Sequence, residues 1–122
     1  MQRGFTLIEL LVVLAIVALL ATIALPRYFQ SIDTARETIL VENLRNTRET
    51  LDKFYADTTR YPDSLDELVE RKYLRALPID PITESPTTWT LVPPEEGIKG
   101  KVRDIRSGAS GSGRNGKPYA EW

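Results

Sequence analysis

The chain has no cysteine and no histidine. Without cysteine there is no disulfide, no thiolate nucleophile and no sulfur-bound zinc. Without histidine there is no imidazole base, no Ser–His or Cys–His couple and no imidazole metal ligand. Net charge is also scarce. Sixteen Lys and Arg against seventeen Asp and Glu leave −1, which argues against a nucleic-acid binder that relies on overall positive charge. The remaining Tyr, Ser, Lys and carboxylates fall into no recognisable catalytic spacing. An enzyme is the least expected class.

What is present is unevenly placed. Hydrophobic residues make up 42% and charged residues 27% of 122, an ordinary average over two unlike parts. From Phe5 to Leu25 only Thr6, Glu9 and Thr22 interrupt an apolar run, and only Arg3 and Glu9 among the charged residues precede Arg27. Residues 27–96 carry nine bases and fourteen acids, whereas residues 97–122 carry six bases against Asp104 and Glu121. Ends of opposite sign can attract between neighbouring copies or fold back within one chain.

As a helix, the run Phe5–Leu25 spans about 31 Å, close to the thickness of a bilayer's hydrocarbon. A cleavable secretory signal would need a small-x-small site behind its apolar core. Here Ala15, Ala18, Ala21 and Ala24 are spaced by three. The leader Met1-Gln2-Arg3-Gly4 has one positive charge, which favours a cytoplasmic N-terminus. The expectation is a membrane anchor with the rest of the chain outside the cytoplasm. Glu9 is the anomaly, since a carboxylate at mid-bilayer costs about 2–3 kcal/mol. Physics alone leaves two accounts open: Glu9 snorkels or stays protonated, or it awaits a positive partner in an assembly.

Beyond Leu25 the helical period continues but becomes amphipathic, with apolar residues at Tyr28, Ile32, Ala35, Ile39, Leu40, Leu44, Leu51 and Phe54. Arg45 with Glu49, Arg48 with Asp52 and Glu49 with Lys53 are helical neighbours of opposite charge on what reads as a solvated face. Pro26, inside the pattern, removes a backbone donor and predicts a kink. One helix from Phe5 to about Tyr55 is expected, stopping near Asp57–Pro62. Ser64-Leu65-Asp66-Glu67 reads as a capping box opening a short helix to about Lys72. The prolines of Leu77-Pro78-Ile79-Asp80-Pro81 exclude regular helix. Strands are expected at 88–92 and 101–105, followed by a Ser/Gly-rich stretch whose final Tyr119 and Trp122 dock back. The fold class is α+β.

The stretch Arg3-Gly4-Phe5-Thr6-Leu7-Ile8-Glu9-Leu10 resembles the processing and assembly motif of type IV pilin-like proteins. Farther on, Arg60-Tyr61-Pro62, Leu77-Pro78 with Asp80-Pro81, two small strands and a glycine-rich loop ending in tryptophan resemble the major pseudopilin of type II secretion systems. The resemblance implies a leader 1–4, a transmembrane half 5–25, an amphipathic half 26–56 and a periplasmic head 57–122. It implies cleavage between Gly4 and Phe5 by a prepilin peptidase and methylation of the Phe5 amino group. Glu9 would then pair with the Phe5 ammonium of a neighbouring copy, where low dielectric strengthens the pair. Its implied partners are further copies of itself, minor pseudopilins, the inner-membrane assembly platform and, before assembly, lipid. A type IV pilus or competence pilin is the near alternative. A single-pass protein with a ligand- or partner-binding head is the distant one.

Two decoys need weighing. Gly111–Lys117 satisfies G-x-G-x-x-G and the start of a P-loop, but Pro118 follows where a P-loop needs Ser or Thr, and both motifs need a helix N-terminus to receive phosphate where only five residues follow Lys117. The resemblance also implies calcium in the C-terminal loop. Calcium takes six to eight oxygens, several from carboxylates, yet residues 108–120 contain no Asp or Glu. The expectation is no cofactor, with ion pairs of Arg106, Arg114 or Lys117 to Asp104, Glu121 or the terminal carboxylate pinning the loop.

Overall fold

A computed structural model describes residues 4–122. The chain divides into two compact units, one ending at Thr34 and the other Ala35–Trp122. Helix α1, Leu7–Thr58, contributes to both. Its apolar 18-residue window has a mean hydropathy of 2.9, none of it buried. By length and composition this helix can cross a membrane. Pro26 lies inside it, with helix on both sides. The missing N–H leaves the Thr22 carbonyl without its usual donor, while the Thr22 hydroxyl bonds to the Leu19 carbonyl (2.6 Å). Arg3, the basic residue of the leader motif, lies outside the described residues.

In the second unit one stripe of α1 is buried: Leu40, Leu44, Thr47, Leu51 and Phe54. Steps of four and three keep these five on one face. Ile39, part of the apolar pattern, stays half exposed, and Thr47, which that pattern passed over, fills the core instead. The cluster is completed by Leu65, Leu68, Trp89, Val102 and Ile105. The Phe54 ring meets Tyr73 edge-on at 5.2 Å and carries the Arg60 guanidinium over its face at 5.1 Å.

Helix α2, Leu65–Glu70, starts where the capping box placed it: Ser64 Oγ accepts from the Glu67 N–H at 3.4 Å. The other half of the box differs. The Glu67 carboxylate takes both Arg60 Nη1 (2.8 Å) and Nη2 (3.1 Å), because a two-pronged charge-assisted pair outcompetes one backbone donor. Strands β1 (Thr90–Val92) and β2 (Asp104–Arg106) pair antiparallel, with Leu91 opposite Ile105.

The second strand begins three residues later than the alternation suggests. The Lys101 and Val102 N–H groups both donate to the Pro62 carbonyl, and Lys99 O accepts from the Tyr61 N–H. This stretch therefore lies along the 60–62 turn before it reaches the sheet. Gly100 allows that approach: its φ is 108° and a Cβ would collide with the Tyr61 backbone. The result is the expected α+β arrangement of a long helix, a short helix and a two-stranded sheet.

Candidate functional site

Two places carry the chemistry, one in each unit. At the start of α1, Phe5 is fully in the open, 91% exposed, and the large apolar side chains from Leu7 to Leu25 follow it at half exposure or more. Thr6 caps the helix: its Oγ1 accepts the Glu9 N–H at 3.1 Å and its carbonyl accepts the Leu10 N–H at 3.2 Å. Glu9 thus sits in the first turn, where the partial positive charge of the helix N-terminus favours a carboxylate. It is exposed along with Gly4 and Phe5. The structure adds Thr6 to this site, and Thr6-x-x-Glu9 has the capping-box spacing that marks it in the sequence.

At the other place, the C-terminal loop closes on the part of α1 in its own unit. The Gly113 N–H donates to the Lys117 carbonyl and the Tyr119 N–H to the Gly111 carbonyl. Trp122 Nε1 also donates to the Lys117 carbonyl (3.2 Å), and the indole lies where a Cβ on Gly113 would stand. From α1, Glu37 Oε1 accepts the Arg114 backbone N–H (2.9 Å) and the Tyr119 hydroxyl (3.1 Å). Arg48 reaches three acceptors: Asp104 Oδ1 through Nε (2.8 Å), and through Nη2 the Ile105 carbonyl (3.0 Å) and the Trp122 backbone oxygen (2.8 Å).

The ion pairs expected of Arg106 and Lys117 with Asp104 or Glu121 are therefore corrected. Asp104 takes its partner from the helix, and none of the ion pairs among the described residues uses Arg106, Lys117 or Glu121. Arg48 likewise leaves its helical neighbour Asp52, since three acceptors held by the head outweigh one on a solvated helix face. Arg45 and Glu49 do form the expected pair, at 3.4 Å and mostly exposed.

Asp80 is wholly buried. Its Oδ1 accepts the Ile82 N–H (2.9 Å) and its Oδ2 the Ser107 hydroxyl (2.6 Å). Ser107 Oγ in turn accepts the Ala109 N–H (3.2 Å), fixing the entry to the loop. Only the Asp-Pro turn signal hinted at Asp80, and nothing local marked Glu37.

Among the described residues no three carboxylates cluster. The one carboxylate aimed at the loop meets N–H and O–H donors, where a hard cation requires lone pairs.

An exposed apolar helix with one acid in its capped first turn, joined to a small α+β head, defines a pilin-like subunit. A family model described as the prokaryotic N-terminal methylation motif matches residues 1–25. The type II secretion system core protein G of Pseudomonas aeruginosa is 31% identical over 96 residues, 66% of this chain and 68% of that protein. That of Klebsiella michiganensis is 30% identical over 126 residues, 90% of this chain and 85% of the relative. The chain belongs to the family of type II secretion system core protein G, the major pseudopilins. The type IV major pilin protein PilA of Myxococcus xanthus is 35% identical over 67 residues, 55% of this chain and 30% of that protein. No solved structure matches.

Proposed function

We propose that this chain is a structural subunit, without catalytic activity, of a periplasmic filament that helps a type II secretion system export folded proteins through the outer membrane. It is stored in the inner membrane by the apolar part of α1, with its head in the periplasm. A prepilin peptidase cuts between Gly4 and Phe5 and methylates Phe5. The assembly platform then moves subunits from lipid into a helical homopolymer that minor pseudopilins join.

The observation that carries this reading is the exposed apolar surface of α1 with Glu9 as its one acid. Such a surface needs lipid or other copies of itself to cover it. In the filament the Glu9 carboxylate pairs with the Phe5 ammonium of a neighbour, and the apolar surroundings strengthen that pair. A pilus pilin is the second reading, favoured by the likeness to PilA. That likeness covers 30% of the pilin against 85% of the Klebsiella protein, so secretion is preferred.

The test is Glu9→Leu in cells with active peptidase. Intact mass should show loss of Met1–Gly4 and gain of one methyl in both parent and variant. Membrane fractionation should show insertion unchanged, since a costly group leaves the apolar span. Filaments counted by electron microscopy should be lost. A variant that polymerises like the parent would make Glu9 a passenger.

A further inference from the structure

The family resemblance implies a metal ion at the C-terminal loop, and the groups gathered there answer that need differently. Glu37 and Arg48 stand eleven residues apart on α1, close to three full turns, and so share a face about 16 Å long. The loop straddles that face. Its N–H and O–H donors (Arg114, Tyr119) point at the acid, and its backbone oxygen acceptor (Trp122) receives the base.

Four of the loop's carbonyls already hold donors. Gly111 O accepts from Tyr119, Gly113 O from Gly116, Lys117 O from Gly113 and Trp122, and Pro118 O from Glu121. No Asp or Glu lies in 108–120 to add negative charge. Bonds to ionised groups are roughly twice as strong as neutral ones, so two such anchors can do what an ion would do for a loop of this length.

We propose that this chain closes its C-terminal loop with protein groups alone, the Glu37 carboxylate and the Arg48 guanidinium acting as a clamp that makes the head independent of calcium. Glu37 is a positioning residue: it fixes Arg114 and Tyr119, and through them the surface the loop presents. The proposal is separate from the export reading, because its test contains no secretion machinery.

The test uses the full chain extracted in detergent and exposed to trypsin. Arg114–Asn115 is the susceptible bond within the loop, since Lys117 is shielded by Pro118. Cleavage there follows the open population when reclosing is fast. Initial rates by mass spectrometry should agree within about twofold between calcium and chelator for the parent. Glu37→Ala should raise the rate about tenfold or more in both buffers, and Glu37→Gln should fall between, because its amide oxygen still accepts. If Glu37→Ala loses far-UV helicity, Glu37→Gln and Arg48→Lys supply the graded series. A parent protected only in calcium, saturable calcium binding by calorimetry, or a Glu37 series matching the parent would overturn the clamp.

Discussion

Thr59 ends α1 in an unusual way for its residue type. Its φ is 59°, the left-handed region in which a β-branched side chain is crowded. The position is kept because its N–H still reaches the Tyr55 carbonyl (2.8 Å) and lets the chain turn toward Arg60. Glycine suits this position better. The left-handed penalty is about 1–2 kcal/mol and the added chain entropy of glycine takes back part of it, so Thr59→Gly should stabilise the head by about 0.5–1 kcal/mol. Thermal melting followed by tryptophan fluorescence would read this gain, and a loss instead would mean that the Thr59 hydroxyl bond to the Thr58 carbonyl (2.6 Å) outweighs the strain.

At the scale of elements, α1 is joined to the head by an apolar stripe and by polar bonds that local rules place elsewhere. Arg48 has an acid four residues on, the usual helical partner, yet it ties β2 and the C-terminus to the helix. Its side chain is 35% exposed and that of Asp104 28%, so the pair is partly desolvated. Replacing Arg48 by Met keeps the stem and removes the guanidinium from Asp104, Ile105 O and Trp122 O, although Asp104 Oδ1 keeps the Ile105 N–H (2.8 Å). The expected cost is about 2–3 kcal/mol in chemical denaturation, and pairing it with Asp104→Asn should recover part of the loss. An Asp52→Asn variant should fall within about 0.5 kcal/mol of the parent, as exposed substitutions do.

For the whole molecule, the opposed charges of residues 27–96 and 97–122 meet within one chain at the Arg103–Glu95 pair (3.9 Å). The pH dependence follows from a few groups. The hydrogen bonds from Arg60 hold the Glu67 carboxyl below its ordinary range, against the opposing effect of burial. A carboxyl lowered on folding adds stability that is present above its unfolded pKa, about 4.3, and lost as pH falls through the lower folded value. Melting midpoints of the parent should therefore drop as pH is taken below about 4.3, and Glu67→Gln should be less stable at neutral pH with a flatter acid limb. Equal acid limbs would remove Glu67 from the account. Burial raises the Tyr61 hydroxyl, and the bond to Asp57 raises that of Tyr73. A raised tyrosine contributes below about 10 and loses that contribution above it, so neither affects the acid limb.

The long helix, the apolar span with its single acid, the start of α2 and the two strands were legible in the chain itself. Each depends on neighbours within a few residues: a hydrophobic period, a cap, a pair of prolines. The same local rules misplaced β2 by three residues and assigned Arg48 to Asp52. They also counted Ile39 into the core and Thr47 out of it, and sought the partner of Asp104 within the loop, where α1 supplies Arg48. Those outcomes depended on groups far apart in sequence. Pro62 offers a carbonyl to residues 101 and 102, and Glu37 meets Tyr119 across 82 positions. A charged side chain chooses among acceptors only once packing has brought them within reach, and that packing is set by the core around Phe54 and Ile105. Periodicity was therefore the sequence's own, whereas the choice of polar partners belonged to the tertiary structure.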